Sequence, residues 1–211
     1  MTQKERQARS RHAIFLAALE EFSKNDYDTV TMDSICQGHG ISKGMMYHYY
    51  SCKDDLFLLL VKELFQALAA QLEHDMQQLD GDNPLETIQQ FFMIRERYFQ
   101  QHPQWKNIFE NAMLRPPKHL KDAIYELREP VRALNRTFLT RVCSGMPLRP
   151  GLDPETATRY IESIEYVFPS LLRQFRAEAG ITDLHTMLDA MAEVLEIILV
   201  GLVSQTDPNA K

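Results

Sequence analysis

From Leu56 to Met76 an apolar residue returns at every fourth position: Leu56, Leu60, Leu64, Leu68, Leu72 and Met76. Phe57, Val61 and Phe65 run beside them. An α-helix, with 3.6 residues per turn, gathers both rows into one broad stripe. A strand would throw the second row to its opposite face, and strands seldom exceed about ten residues. The segment is therefore expected to be one long helix over residues 52–79, closed by Asp80-Gly81-Asp82-Asn83-Pro84. A helix of that length needs other helices against its stripe.

The flanking sequence supplies them. Ile14, Ala18 and Phe22 lie four apart, with Phe15 and Leu19 alongside, which marks an amphipathic helix over 11–23. Asn25-Asp26-Tyr27-Asp28 stops it with residues that tolerate left-handed backbone. Thr31 has the chemistry of an N-cap for a short second helix, which Gly38 and Gly40 end. Ser42 restarts a third helix at once, and Ser51 and Asp54 stand at capping-box spacing before the long fourth. Beyond Pro84, helices are expected near 84–101, 104–115, 117–144, 153–179 and 182–205, with prolines at the joints. Pro130 and Pro169 fall inside helical patterns and predict kinks or breaks. No segment alternates as a strand does. The fold class is all-α, with about nine helices.

Composition narrows the class further. Apolar residues at 45% and charged residues at 25% suit a soluble globular chain, and 211 residues suffice for a small head on a larger body. The polar ends, Met1–Glu5 and Asp207–Lys211, are where disorder is expected. Three cysteines, Cys36, Cys52 and Cys143, make no paired set, and the N-terminus lacks a secretory apolar stretch, so a cytoplasmic protein is expected. Ile197–Val203 is too short to span a bilayer, and no membrane partner is expected.

The net charge of −6 excludes a protein that coats nucleic acid through overall basicity. The charge is uneven, however. Residues 1–53 hold seven basic and six acidic residues, and the remainder holds sixteen and twenty-three. Lys4, Arg6, Arg9 and Arg11 form a basic run ahead of the first apolar stretch; such a run serves either as a solvated helix start or as a phosphate clamp.

Residues 31–50 thus describe two short helices joined through a turn at Gly40, the helix-turn-helix arrangement that lays its second helix in the major groove. Residues near the start of that helix reach base edges. Lys43 can donate to guanine O6 or N7, Gly44 permits close backbone approach, and Met45 offers apolar contact such as a thymine methyl accepts. Tyr47, His48 and Tyr49 carry polar tips suited to phosphate oxygens, and Lys53 adds a cation at the start of the next helix. Each has a structural alternative: Tyr47 packs between helices, His48 is solvated surface, and Met46 and Cys36 are core.

The pattern Ile14-x-x-x-Ala18-x-x-x-Phe22, Tyr27, Thr31, Ile35, Gly40-Ile41-Ser42-Lys43-Gly44-x-x-Tyr47-x-Tyr49-Tyr50 and Lys53-x-x-Leu56 resembles the tetracycline-repressor (TetR) family of bacterial transcriptional regulators. The match covers about the first quarter of the chain. Asp26 stands where a glycine is common, Tyr50 where phenylalanine is common, and Met45 where Thr or Ser is frequent, so base preference at Met45 does not transfer. The resemblance implies a DNA-binding head over 1–53 and a ligand-binding and dimerisation body over 54–211. It implies a homodimer through the helices near 153–179 and 182–205, which periodicity alone reads equally as an intramolecular hairpin. It implies double-stranded palindromic operator DNA as partner and repression relieved by a small molecule. The implied DNA-binding residues are Thr31, Ser42, Lys43, Gly44, Met45, Tyr47, His48, Tyr49 and Lys53.

No catalytic motif, glycine-rich phosphate loop or metal-ligand spacing occurs, so no enzyme activity and no cofactor are expected. Aromatic residues of the body, namely Phe92, Tyr98, Trp105, Phe109, Tyr125 and Tyr166, are candidates to line a pocket for an apolar or aromatic effector, with Arg95, His119 or Glu165 as polar anchors. Ordinary core packing is the competing use of the same side chains. The competing functions are a helical small-molecule-binding or adaptor protein without DNA activity, and a helical enzyme that lacks a candidate site.

Overall fold

A computed structural model describes residues 2–79, 83–163 and 183–203. Among them the chain is all-α, with ten helices: α1 (Gln3–Lys24), α2 (Met32–His39), α3 (Lys43–Tyr49), α4 (Lys53–Met76), α5 (Pro84–Gln101), α6 (Lys106–Met113), α7 (Lys121–Leu127), α8 (Glu129–Ser144), α9 (described over 154–163) and α10 (Leu184–Leu202). One isolated antiparallel bridge, Leu148 with Val203, is the only extended pairing among the described residues.

The chain groups into two compact units. The first joins Met1–Ala67 to Phe99–Glu129; the second joins Leu68–Tyr98 to Pro130–Lys211. The chain passes between them inside α4, inside α5 and at the start of α8.

Several helix ends differ from expectation for readable reasons. α1 begins eight residues before the apolar stretch, because Thr2 and Glu5 form a capping box: the Thr2 hydroxyl accepts from the Glu5 N–H at 3.2 Å, and the Glu5 carboxylate accepts from the Thr2 N–H at 2.9 Å. The expected disorder at Met1–Glu5 is therefore replaced by an ordered cap from Thr2 onward. At its other end Asn25 is extended (φ −128°), not left-handed, and its side-chain amide donates to the Glu21 carbonyl. The box ahead of α4 uses Asp55 rather than Asp54: its carboxylate accepts from the Ser51 N–H (3.0 Å), the Ser51 hydroxyl (2.7 Å) and the Cys52 N–H (3.3 Å). The expected helix over 117–144 is three pieces, a 3-10 turn at Lys118–Leu120 followed by α7 and α8. The break falls just before Pro130, which becomes the second residue of α8, where a missing N–H costs nothing. Pro169 and the expected helix beyond residue 163 lie outside the described residues.

In the first unit, Ile14, Ala17, Ala18 and Phe22 of α1 and Leu56, Phe57, Leu60 and Val61 of α4 are buried. Phe22 and Phe57 rings lie 5.2 Å apart, and Tyr27 meets Phe57 edge-on at 5.0 Å. Burying such side chains contributes about 1.5–3 kcal/mol each. In the second unit Phe91 and Phe138 stack at 3.9 Å, and Ile161, Leu188, Leu195 and Leu199 are buried with them.

The packing of the first unit reaches well beyond residue 53. Asn107 of α6 donates to the Phe22 and Asn25 carbonyls at 2.8 and 2.9 Å. Asn111 accepts from the Tyr27 N–H at 3.2 Å. Arg115 pairs with Asp26 at 3.1 Å. These contacts satisfy the backbone left open where α1 ends, and they fix the loop that leads to α2.

Candidate nucleic-acid interface

The site is built by two caps and a glycine. Thr31 caps α2, its hydroxyl accepting from the Ser34 N–H at 3.0 Å while Ser34 Oγ accepts from the Thr31 N–H at 3.1 Å. α2 ends at Gly40, which is left-handed (φ 64°, ψ 23°), a conformation that costs a side-chain-bearing residue about 1–2 kcal/mol. The turn lets the Ile41 N–H reach back to the Cys36 carbonyl and buries the Ile41 side chain. Ser42 then caps α3, accepting from the Met45 N–H at 3.1 Å.

One side chain decides which face of α3 is free. Met46 has no solvent access and anchors the helix to the core. Ser42, Lys43, Gly44, Tyr47 and His48 consequently face solvent, with Tyr47 54% exposed, so the alternative in which Tyr47 packs between helices is set aside. A Cβ placed on Gly44 would meet nothing within 4 Å, so the backbone there is open to approach. Met45 is half-buried. Cys36 and Met46 are core, as expected.

Besides the caps at Thr31 and Ser42, the expected contact residues Lys43, Tyr49 and Lys53 have partners within the protein. Lys43 Nζ lies 2.7 Å from Asp33 Oδ2, and that hydrogen bond raises the lysine's pKa. The half-buried Tyr49 ring lies under the Arg11 guanidinium at 5.3 Å and against His48 at 4.7 Å. Lys53 Nζ donates to the Tyr27 and Val30 carbonyls at 2.7 and 2.9 Å and sits 4.3 Å from the centre of the Tyr27 ring. Lys53 therefore fixes the loop between α1 and α2, with one of its three donors left over.

Sequence reasoning missed the network behind that loop. The Tyr27 hydroxyl donates to Asp54, whose other oxygen lies 2.8 Å from His119 Nε2. Burial pushes the Asp54 carboxyl up, but the donors from Tyr27 and His119 and the nearby lysine charge outweigh it and hold the group below the ordinary range. Burial first, and then Asp54, push the Tyr27 phenol well above its usual value. His119, expected as a ligand anchor, serves here instead. Its partners stand 65 and 92 positions away, and no local pattern signals such a contact.

The expected effector-lining residues are divided. Trp105, Phe109 and Tyr125 belong to the first unit, where Phe109 packs on Phe65 and Phe99, and Trp105 on Phe15. Phe92 and Tyr98 belong to the second and are buried. Tyr166 and Glu165 lie outside the described residues. Arg95 is 5% exposed; it donates to the Phe91 carbonyl at 3.1 Å and to Asn135 Oδ1 at 2.6 Å and lies over the Phe91 and Phe92 rings. A cleft of about 650 Å³ in the first unit is lined by Tyr49, Tyr50, Leu58, Leu59 and Leu127 with Arg11 and Lys62. Another of about 530 Å³ in the second is lined by Glu86, Gln89, Gln90 and Met93. Among the described residues, none of the expected aromatic side chains lines either cleft.

Residues 14–60 match the model of the bacterial regulatory proteins of the tetR family. The HTH-type transcriptional regulator HbdR of Aromatoleum sp. (strain CIB) is 30% identical over 78 residues, which is 37% of this chain and 33% of that protein. The matched stretch thus spans about a third of that relative's length. The fold extends over nearly the whole chain in two solved structures. The fatty acid degradation regulator FadR from Bacillus halodurans is 14% identical with a TM-score of 0.61, covering 93% of this chain and 97% of that one. The transcriptional regulator FadR from Bacillus subtilis, solved in complex with stearoyl-CoA, is 19% identical with a TM-score of 0.60, covering 91% and 99%. The capped helix-turn-helix at the head thus lies within the stretch that matches the tetR family of bacterial regulatory proteins, and the chain as a whole shares the fold of the two FadR structures.

Proposed function

We propose that the protein is a homodimeric repressor that binds palindromic operator DNA through α3 and releases it when a small molecule occupies the body. The observation that carries this is the solvent-facing row Ser42, Lys43, Gly44, Tyr47 and His48 on a short helix anchored by the buried Met46. A protein that served only as an adaptor has no need of such a face. In this reading residues 1–53 do the DNA chemistry. Lys43 and Gly44 approach bases with Met45 beside them, and Thr31, Tyr47, His48 and Tyr49 hold phosphates and register. Lys53 spends its remaining donor on a phosphate.

Residues 54–211 supply the dimer contact and the effector site. Ile197, 73% exposed, and Val200, 54% exposed, lie on one face of α10, and a second copy's α9 and α10 would cover them. An apolar or aromatic effector suits the body's side chains. Long-chain acyl-CoA is the first class to test, because a protein of the same fold was solved with stearoyl-CoA. Operator and effector affinities are then reciprocally coupled, typically by about 1–3 kcal/mol. α4, along which the chain leaves the first unit, is the expected lever. A cytoplasmic location follows from this role, and no described helix is long and apolar enough to cross a membrane.

The test is selection of duplexes from random DNA by the full-length protein, followed by titration of the selected duplex. Lys43→Ala should cut discrimination between selected and mismatched duplexes by roughly five- to a hundred-and-fiftyfold. Tyr47→Phe should weaken binding to all duplexes alike. If both variants bind as wild type does, α3 is not the reader.

A further inference from the structure

α1 is 22 residues long, yet its first buried residue is Ile14. Eleven helical residues, Gln3 to Ala13, are ordered by the Thr2–Glu5 capping box without contributing to the core. Lys4, Arg6, Arg9 and Arg11 are all exposed there, and the one acid among them, Glu5, is spent on the cap. In a chain of net charge −6 this is a local concentration of positive charge with no described acidic partner.

The helical register divides the four cations. At 100° per residue, Lys4 and Arg11 fall on the line continued by Ile14, Ala18 and Phe22, so they prolong the face that packs against the head. Arg6 and Arg9 lie about 140–160° around the helix from Arg11. The Arg11 guanidinium, 5.3 Å from the Tyr49 ring, ties this line to the C-terminal end of α3. Lys4 stands two turns, or about 10 Å, further along the same side.

We infer that Lys4 and Arg11 form a basic ridge that extends the α3 interface and takes the phosphates flanking the bases read by α3. The ridge is continuous with the reading face through Tyr49, and its charge complements a polyanion at a place where the rest of the chain would repel one. This rests on the DNA-binding reading and adds residues outside the helix-turn-helix to it. The contact carries no sequence information, since phosphates are the same in every sequence. It also gives the first half of α1 a use that core packing does not.

The experiment follows the salt dependence of binding by the full-length protein to the duplex it selects and to a scrambled duplex of equal length. Removing one cation that neutralises a phosphate lowers the slope of log K against log salt by about 0.9, or about 1.8 for two copies on a two-fold site. Lys4→Ala and Arg11→Ala should each lower the slope by that amount and weaken both duplexes by the same factor. Arg9→Ala, on the far side of the helix, should leave the slope unchanged. Because Arg11 also touches Tyr49, Lys4 is the deciding position. A Lys4→Ala slope equal to wild type overturns the ridge, as does an Arg9→Ala decrease as large as that of Lys4→Ala. A wild-type protein that binds no duplex overturns the DNA reading itself, which is a separate result.

Discussion

Lys43 is held by a carboxylate before it meets any DNA. Asp33 lies one helix back, both side chains are at least half exposed, and the pair closes at 2.7 Å. Exposed pairs of this kind contribute little and are screened by salt, so breaking the pair costs less than a good base contact returns. It also holds the side chain near α2 while no base is present. Asp33→Asn should therefore tighten operator binding severalfold at low salt and less at high salt; unchanged binding at low salt would mean that Asp33 does not restrain Lys43. Asp54 belongs to the same scale but answers to pH. Its folded carboxyl lies below the ordinary value, so it stabilises the fold above that value and stops doing so as pH falls through the folded one. Denaturant midpoints of wild type and Asp54→Asn should differ by a constant amount above about pH 5 and begin to converge as pH falls below about 4, the ordinary carboxylate value. A difference that persists undiminished at pH 3 would show that the Tyr27 and His119 contacts do not depend on the charge.

At the scale of elements, the turn between α2 and α3 depends on Gly40. Its φ of 64° allows α3 to start soon after it, with Ile41 buried and Ser42 free to cap. Gly40→Ala should cost about 1–2 kcal/mol by chemical denaturation, although a Cβ there meets no neighbour. Gly44→Ala, equally unobstructed but inside a helix, should not lower stability and should instead weaken DNA binding. If the two substitutions have the same effect on stability, the left-handed turn is not what Gly40 supplies. This turn is legible in the sequence, as are the caps at Thr31 and Ser42, because caps and turns depend on chemistry within four residues. The fourfold stripe of α4 is legible for the same reason, and Leu56 to Leu72 are buried along it. The box at Asp55 escapes the sequence by one position because Asp54 and Asp55 are chemically alike; the remote Tyr27 and His119 decide which of them turns inward. The clasp from Asn107, Asn111 and Arg115 leaves no trace at all, since polar residues on a short amphipathic helix look like solvated surface until the loop they hold is in place. The aromatic residues expected around a ligand pocket show the opposite limit, because composition cannot separate a pocket wall from packed core.

For the whole molecule, the dimer is the step on which the palindrome depends. Ile197, Val200 and Gly201 share a face of α10 by their i, i+3, i+4 spacing, and all three are exposed in the single chain while Leu195, Leu199 and Leu202 are buried behind them. A charge at Ile197 therefore leaves the protomer's own core untouched and places an unpaired carboxylate in the middle of any contact between two copies of α10. Ile197→Glu should retain wild-type helicity, sediment as a monomer and lose operator affinity by about 10²–10⁴-fold, the usual gain when two binding modules are joined on one target. Binding to a duplex carrying one half-site should be nearly unchanged, because each head is intact. Retention of both the dimer and operator affinity would move the interface elsewhere on the surface. Loss of half-site binding along with the dimer would mean instead that the head is shaped by its partner, so that α3 does not read DNA as an independent element.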